Sequence, residues 1–332
     1  MLKIKYQNNI ILDNKDFGNI SIDPIKKKNN FDINFITHAH KDHVGPRTNE
    51  NSTYFATKPT LEIVNKLFKE NRQGKVLEYN KKYKIDDLEY KIINSGHVFG
   101  SYSLVLEYNG TKITITSDIN TENTTTTTAA IPEDTDILII ESTYGSEKDI
   151  FPKRKNEYTR FLKWLILNRL NNNLPIISSY PLGKTQEILK LICDNTNFNI
   201  GLTNDAYEIS EIYKKHKIGL KNYFRVNGNI NDLDLLILPP QKIKKDLIDA
   251  LSTIYKRNLV FASTTGNAFR LGTQFKISDH CDITGLTKYI QESNAKQIYT
   301  YHGKDKEFAN FISKKLKLFA RPLKDIKKLE IT

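Results

Sequence analysis

Six of the seven histidines in this chain fall inside four short segments. The densest is Thr37-His38-Ala39-His40-Lys41-Asp42-His43, which packs three imidazoles and a carboxylate into residues 38–43, directly after the apolar run Ile33, Phe35, Ile36. Neutral imidazole and carboxylate are the usual ligands of zinc and similar divalent ions. A single helix or strand cannot aim all four at one ion. A strand end running into a loop can aim His38 and His40 one way and Asp42 and His43 another. The spacing therefore predicts two metal positions side by side, a device for hydrolysing phosphoesters and related bonds.

Two further segments carry compatible groups. Ser95-Gly96-His97-Val98-Phe99-Gly100-Ser101 has glycines on both sides of one histidine, so the backbone can hold His97 at a loop tip. Ser117-Asp118-Ile119-Asn120 puts a carboxylate at a strand end, where it could bridge two cations. Either residue alone would read as structural; together with the first cluster they read as a site.

The elements that must position these residues are strands first. Short strand patterns recur in the first third: Ile10–Leu12, Ile20–Ile22, Phe31–Ile36, Tyr54–Thr57 and Tyr90–Ile93. Tyr102–Tyr108 and Lys112–Thr116 flank Asn109-Gly110, a strong hairpin signal. A helix is predicted over Thr60–Lys69, and the Thr124–Thr128 run reads as a loop. Ile137–Ile140 is an apolar strand ending in Glu141. From there the pattern alternates strand with helix. The helix over Asn156–Leu170 is expected to turn Tyr158, Phe161, Leu162, Leu165 and Ile166 to one side. A last strand over Ile298–Tyr301 precedes a helix over Lys304–Lys317. Chemistry-bearing segments lie on both sides of the alternating region, which predicts an insertion into an enzyme core.

Composition excludes several classes. Hydrophobic content of 39% supports a buried core and is not that of a disordered chain. No run approaches the roughly 20 apolar residues of a membrane span, and the first residues do not resemble a signal peptide, so a cytoplasmic setting without membrane contact is expected. Cys193 and Cys281 do not suggest a disulfide framework; Cys281, next to His280, reads as a buried thiol. The net charge of +12 favours a polyanionic partner, with the densest positive charge at Lys26–Lys28 and from Lys314 to Lys328, the latter read as a solvated helix face.

His38, His40, Asp42 and His43, followed by His97 and Asp118, resemble the ligand motifs of the metallo-β-lactamase superfamily. Glu141-Ser142-Thr143-Tyr144-Gly145 resembles the signature of its β-CASP branch, whose members are nucleases. Ile277-Ser278-Asp279-His280-Cys281-Asp282 and Tyr301-His302-Gly303 resemble that branch's later motifs, in the family's order. The resemblance implies an α/β fold: the four-layer αββα metallo-β-lactamase sandwich over residues 1–145 and 265–332, with a compact β-CASP α/β domain inserted over 146–264. It implies that His38, His40 and His97 hold one metal, that Asp42, His43 and His302 hold the other, and that Asp118 bridges them. His280 would be the general acid and Glu141 its partner, with Asp42 counted beside them in the catalytic set. Asp23, in Ile22-Asp23-Pro24, would support the ligand loop.

The chemistry is coherent without the family. A water shared by two cations loses a proton near neutral pH, and a histidine paired with a carboxylate can protonate a departing alkoxide. Two divalent ions are the implied cofactors; zinc suits the ligand set, and manganese is an alternative. Lys184, at the start of a helix after Leu182-Gly183, and Arg270, on a glycine-bounded loop, are candidate phosphate contacts. A cleft site would admit a single strand more readily than a long duplex. The expected function is hydrolytic cleavage of single-stranded nucleic acid, RNA favoured, because Glu141 and His302 follow the RNA-processing pattern of the family. A DNA exonuclease of repair is the alternative, since the short insertion resembles ligase-associated exonucleases. A glyoxalase-II-like thioesterase and an inactive binding subunit rank below both. A homodimer or association with processing or repair proteins is left open.

Overall fold

A computed structural model describes residues 1–24, 31–45, 52–226, 233–266 and 272–332. The chain divides into two compact units. One comprises Met1–Asn123, Thr127–Ile150 and His280–Thr332; the other comprises Thr124–Thr126 and Phe151–Asp279.

The first unit is built on two seven-stranded sheets. In one, the strands run in the order Leu329–Ile331, Leu2–Tyr6, Ile10–Asn14, Gly18–Ile22, Ile33–Phe35, Thr53–Ala56, Gly74–Val76. In the other the order is Phe319–Pro322, Gln297–Tyr301, Ile137–Glu141, Thr111–Ile115, Tyr102–Tyr108, Leu88–Asn94, Tyr83–Ile85. Period-two alternation explains the pairing. In Leu2-Lys3-Ile4-Lys5 the apolar residues are fully buried, while the lysines stay partly exposed. Leu2, Ile4, Leu12 and Ile20 of the first sheet share one core with Ile92, Leu104, Ile113 and Ile139 of the second.

Helices cover the outer faces. Leu138, Ile140 and Ile298 pack against Leu286, Ile290, Phe308 and Ile312 from the helices Ile283–Glu292 and Asp305–Phe311 and the π turn Ile312–Leu316. The helix Ile283–Glu292 starts where the Asp282 carboxylate accepts the N–H groups of Thr284 and Gly285. On the other side lies the helix Lys58–Phe68, capped by Thr57 and led by Pro59; its Leu61 sits against Gly74, where an added Cβ would come within 3.0 Å of the leucine. The layers are thus helix, sheet, sheet, helix: the expected αββα sandwich.

The second unit holds a six-stranded, all-parallel sheet in the order Tyr223–Arg225, Ile200–Leu202, Leu235–Leu238, Leu174–Ser178, Leu259–Thr264, Thr273–Phe275. Its helices are Arg154–Leu170, Lys184–Asn195, Asn204–Lys215 and Lys245–Tyr255. Pairing of Thr273–Phe275 with Leu259–Thr264 carries this unit past residue 264 to Asp279.

Three local expectations change. Ile166 is 39% exposed, so the buried stripe of its helix is Phe161 and Leu165. The helix expected over Lys304–Lys317 is α-helical only for Asp305–Phe311. The basic tail is not a helix face: Phe319–Pro322 pairs parallel with Gln297–Tyr301, and Leu329–Ile331 pairs antiparallel with Leu2–Tyr6. Lys26–Lys28 lie outside the described residues. No described helix is long and apolar enough to cross a membrane.

Candidate metal centre

Every candidate ligand sits at or just past the carboxyl end of a strand in the first unit. Asp23 follows Gly18–Ile22, the His38–His43 loop follows Ile33–Phe35, and His97 follows Leu88–Asn94. Asp118 follows Thr111–Ile115, Glu141 ends Ile137–Glu141, and His302 follows Gln297–Tyr301. Parallel pairing brings the last three together, with Glu141 in register with Tyr301.

Asp118 is the hub. Its Oδ2 lies 3.5 Å from His38 Nε2, 3.4 Å from His43 Nε2, 3.6 Å from His97 Nε2 and 3.9 Å from His280 Nε2. Its Oδ1 lies 4.0 Å from His302 Nδ1. His97 Nε2 and His40 Nδ1 are 3.0 Å apart. His38, His43, His97 and Asp118 are buried, His40 is partly buried, and Asp42 is exposed.

This arrangement leaves buried donor and acceptor atoms unmatched. His38 Nε2, His43 Nε2 and Asp118 Oδ1 have no hydrogen-bond partner among the described residues. Burying such groups unpaired costs of order 1–3 kcal/mol each, so a site built this way fits something that binds them. Three sets of donor atoms each lie within 4.8 Å of one another among the described residues: His38, His40, His97 with Asp118; Asp42, His43 with His302; and Asp118, Glu141 with His280. The donor types are those of divalent cations.

The opposite ring nitrogens are already spoken for, which fixes the tautomers. His43 Nδ1 donates to Asp23 Oδ2 at 2.9 Å, and His38 Nδ1 lies 3.1 Å from Thr37 Oγ1. Asp23 also accepts from Thr37 N and Thr37 Oγ1, each at 2.8 Å, and from Ser117 Oγ at 3.3 Å. Asp23 and Ser117 hold left-handed backbone conformations, with φ of 53° each, as does His302 at 59°. Non-glycine residues there are uncommon and cluster at functional sites.

Charge coupling follows the same geometry. Burial and the neighbouring His43 and His97 drive the His38 pKa well below the usual imidazole value. Burial also opposes charge on His43, yet Asp118 and Asp23 outweigh it and hold that pKa well above normal. Burial would raise the Asp118 pKa, but His43 and His280 overcome it and hold it well below the usual carboxylate range. Asp118 and Asp23 thus hold a proton on His43, and a cation bound at its Nε2 would have to displace it.

His280 is placed differently. Its Nδ1 donates to Glu141 Oε1 at 2.9 Å, and its side chain is 21% exposed, with Nε2 toward Asp118. Glu141 is fully buried and also accepts from Ile119 N at 2.9 Å and Thr143 N at 3.1 Å. With three N–H groups already on its oxygens, Glu141 is an orienting group for His280. Behind it, Ser142 Oγ donates to the carbonyls of Tyr301 and His302, and Lys304 N donates to Ser142 O. Gly303, with φ of 63°, admits this close approach: a Cβ there would stand 2.6 Å from Ser142 O.

Sequence reasoning missed Thr37 and Ser117, which precede two ligands and hold Asp23 and each other, Oγ to Oγ at 2.5 Å. Position next to a ligand was their only signal. Lys184 belongs to the second unit. It is buried there, and its amine donates to Ile277 O at 2.7 Å and pairs with Asp279 at 3.4 Å. Arg270 lies outside the described residues. Cys281 is buried, and burial pushes its thiol well above the normal pKa.

Comparison with known proteins adds to this geometry. No family model matches the chain. It is 34% identical over 185 residues to an RNase J-like protein of Methanocaldococcus jannaschii, covering 48% of this chain and 43% of that protein. It is 26% identical over 265 residues to Probable RNase MJ4 of the same organism, covering 70% and 60%. It is 21% identical over 280 residues to a Probable DNA ligase of Opitutus terrae, covering 83% and 27%. The chain thus spans between about a quarter and three fifths of the length of these relatives. A crystal structure of a protein of unknown function from Enterococcus faecalis V583 shares the fold, with a TM-score of 0.63 at 14% identity over 92% of this chain and 95% of that one.

Proposed function

Since the chain belongs to the β-CASP branch of the metallo-β-lactamase superfamily, we propose that it is a two-metal nuclease that hydrolyses phosphodiester bonds of single-stranded nucleic acid, RNA in preference to DNA. The observation that carries this reading is the His280–Glu141 pair, in which the histidine's other ring nitrogen, Nε2, lies 3.9 Å from the hub carboxylate. Hydrolysis of a thioester has less need of an acid there, because a thiolate departs more readily than a sugar alkoxide.

His38, His40 and His97 would hold one cation and Asp42, His43 and His302 the other, with Asp118 between. Two divalent ions so held would supply a nucleophile from water at neutral pH and neutralise phosphate oxygens. Zinc suits imidazole and carboxylate donors, and manganese is the alternative. The chain's own groups do the rest. Asp23 and Thr37 hold His43 and His38 in the tautomer that leaves Nε2 open. His280 gives the proton from Nε2 to the departing oxygen, while Glu141 accepts at Nδ1 and stabilises the imidazolium. The second unit, reached after Ile150, would be the β-CASP insertion.

RNA is favoured because the names of two relatives, at 34% and 26% identity, are those of ribonucleases. A DNA exonuclease of repair is the second reading, supported by the likeness to a protein named as a DNA ligase. Only 27% of that protein is matched, so its name bears weakly on this segment. Cleavage rates on single-stranded RNA and DNA of matched sequence separate the two; faster cleavage of DNA reverses the order.

A further inference from the structure

A cavity of about 180 Å³ opens beside the candidate metal centre, lined on one side by Asp42, His43 and His302. Its other side is not made of ligands: Tyr6, Asn8 and Tyr301 line it, from the turn between the strands Leu2–Tyr6 and Ile10–Asn14 and from the end of Gln297–Tyr301. The turn is anchored, since Asn9 Nδ2 donates to Ser21 Oγ at 2.7 Å and Gln7 N to Asn9 O at 2.9 Å. Asn8, at the tip with φ of 69°, is exposed, and its amide has no hydrogen-bond partner among the described residues. The Tyr6 hydroxyl has none either. Tyr6 is partly buried, set edge-on to Tyr301 with ring centroids 6.3 Å apart.

The lining decides what fits. It includes no lysine or arginine, and it carries the carboxylates of Asp23 and Asp42. A second phosphate would meet the charge of these carboxylates, with no lysine or arginine in the lining to offset it. A flat, uncharged group with hydrogen-bonding edges meets an aromatic ring and a free amide. The space is also smaller than the roughly 300 Å³ at which pockets for larger ligands begin, so it suits one ring system.

We propose that this cavity is a nucleobase subsite: it takes the base of a nucleotide adjoining the phosphate at the metal centre, with Tyr6 as the stacking surface and the Asn8 amide at the base edge. Stacking on aromatic rings with edge hydrogen bonds is how unpaired bases are held. The proposal rests on the nuclease reading, and it gives that reading a substrate contact made of unpaired bases, which a duplex would not offer.

The test compares adenosine 5′-monophosphate with ribose 5-phosphate, which has the same sugar and phosphate but no base, by calorimetric titration of the zinc-loaded protein. The base should tighten binding on the order of 5- to 150-fold. That excess should be largely lost in Tyr6→Leu and in Asn8→Gly; the glycine keeps the positive φ of the turn and guards against a folding artefact. Equal affinity for the two ligands overturns the subsite, and so does a base-dependent excess that survives both substitutions. Cleavage of single-stranded RNA by the wild-type protein is measured in parallel. A protein that cleaves RNA but binds both ligands alike loses the subsite and keeps the nuclease reading. One that favours the nucleotide through Tyr6 and Asn8 but cleaves no nucleic acid keeps the subsite and loses the nuclease.

Discussion

Replacing Glu141 by glutamine changes one oxygen for an amide and removes one charge from a carboxylate whose contacts are all occupied. Glu141 Oε1 accepts from Ile119 N and His280 Nδ1, and Oε2 from Thr143 N. A glutamine can satisfy one of these sides only; its NH₂ must face an N–H donor on the other. The imidazolium of His280 loses its carboxylate. A hydrogen bond to a charged group is worth about 1.5–3 kcal/mol, which corresponds to a loss of turnover of roughly 10- to 150-fold if the histidine acts as the acid. The loss should depend on the leaving group. RNA, whose sugar oxygen departs as an alkoxide, needs the proton. A p-nitrophenyl ester of thymidine phosphate does not. Steady-state kcat is to be measured on both, per metal-loaded folded chain. The expected result is the full loss on RNA and a loss of less than about threefold on the ester. Equal losses on the two substrates would refute the acid–orienter assignment and leave Glu141 a structural group.

The same geometry sets three other outcomes. Metal affinity should rise with pH through and above the ordinary imidazole value of about 6.5, because the His43 proton is held by Asp118 and Asp23 and must leave. The sign for the metal-free protein is opposite: the stabilisation from charged His43 is complete below that value and is lost as pH rises through the raised pKa, so the metal-free thermal midpoint should fall over this window while metal affinity climbs. Calorimetry in buffers of different ionisation enthalpy reads the released proton, and no release contradicts the coupling. Lys184→Met removes a buried amine from Asp279 and from the Ile277 carbonyl, and should destabilise the chain by roughly 1–3 kcal/mol in urea unfolding; a cost under about 1 kcal/mol would instead leave the amine free for another task. Gly303→Ala forces a Cβ to within 2.6 Å of Ser142 O at a positive φ. It should displace His302 and lower bound metal toward one ion per chain by elemental analysis, and retention of two ions would show that the turn tolerates it.

The candidate ligand cluster was legible because metal binding demands particular residue types, and His38, His40, Asp42 and His43 are too dense to be accidental in a loop. The Asn109-Gly110 hairpin was legible because its turn chemistry is local: Tyr108 pairs with Thr111 as expected. What was not legible was non-local. The tail from Lys314 to Lys328 has the lysine content of a solvated helix, but edge positions in both sheets draw Phe319–Pro322 and Leu329–Ile331 into strands. Lys184 stands at a helix start, and its pairing with Asp279, 95 residues later, has no local signal. Tyr6 and Asn8 carry no motif; only the fold brings their turn beside His43 and His302.

The most direct test is metal content and cleavage measured together on wild-type protein and Asp118→Ala, with end-labelled single-stranded RNA and DNA of the same sequence. Asp118 lies within 4.0 Å of five histidine side chains, so its loss should empty the centre. The predicted result is about two divalent ions per wild-type chain, with RNA cut faster than DNA, and no cleavage above background for Asp118→Ala. Undiminished cleavage by Asp118→Ala, or fewer than about one ion per chain in a wild-type protein that still cuts, would contradict a two-metal nuclease built on these residues.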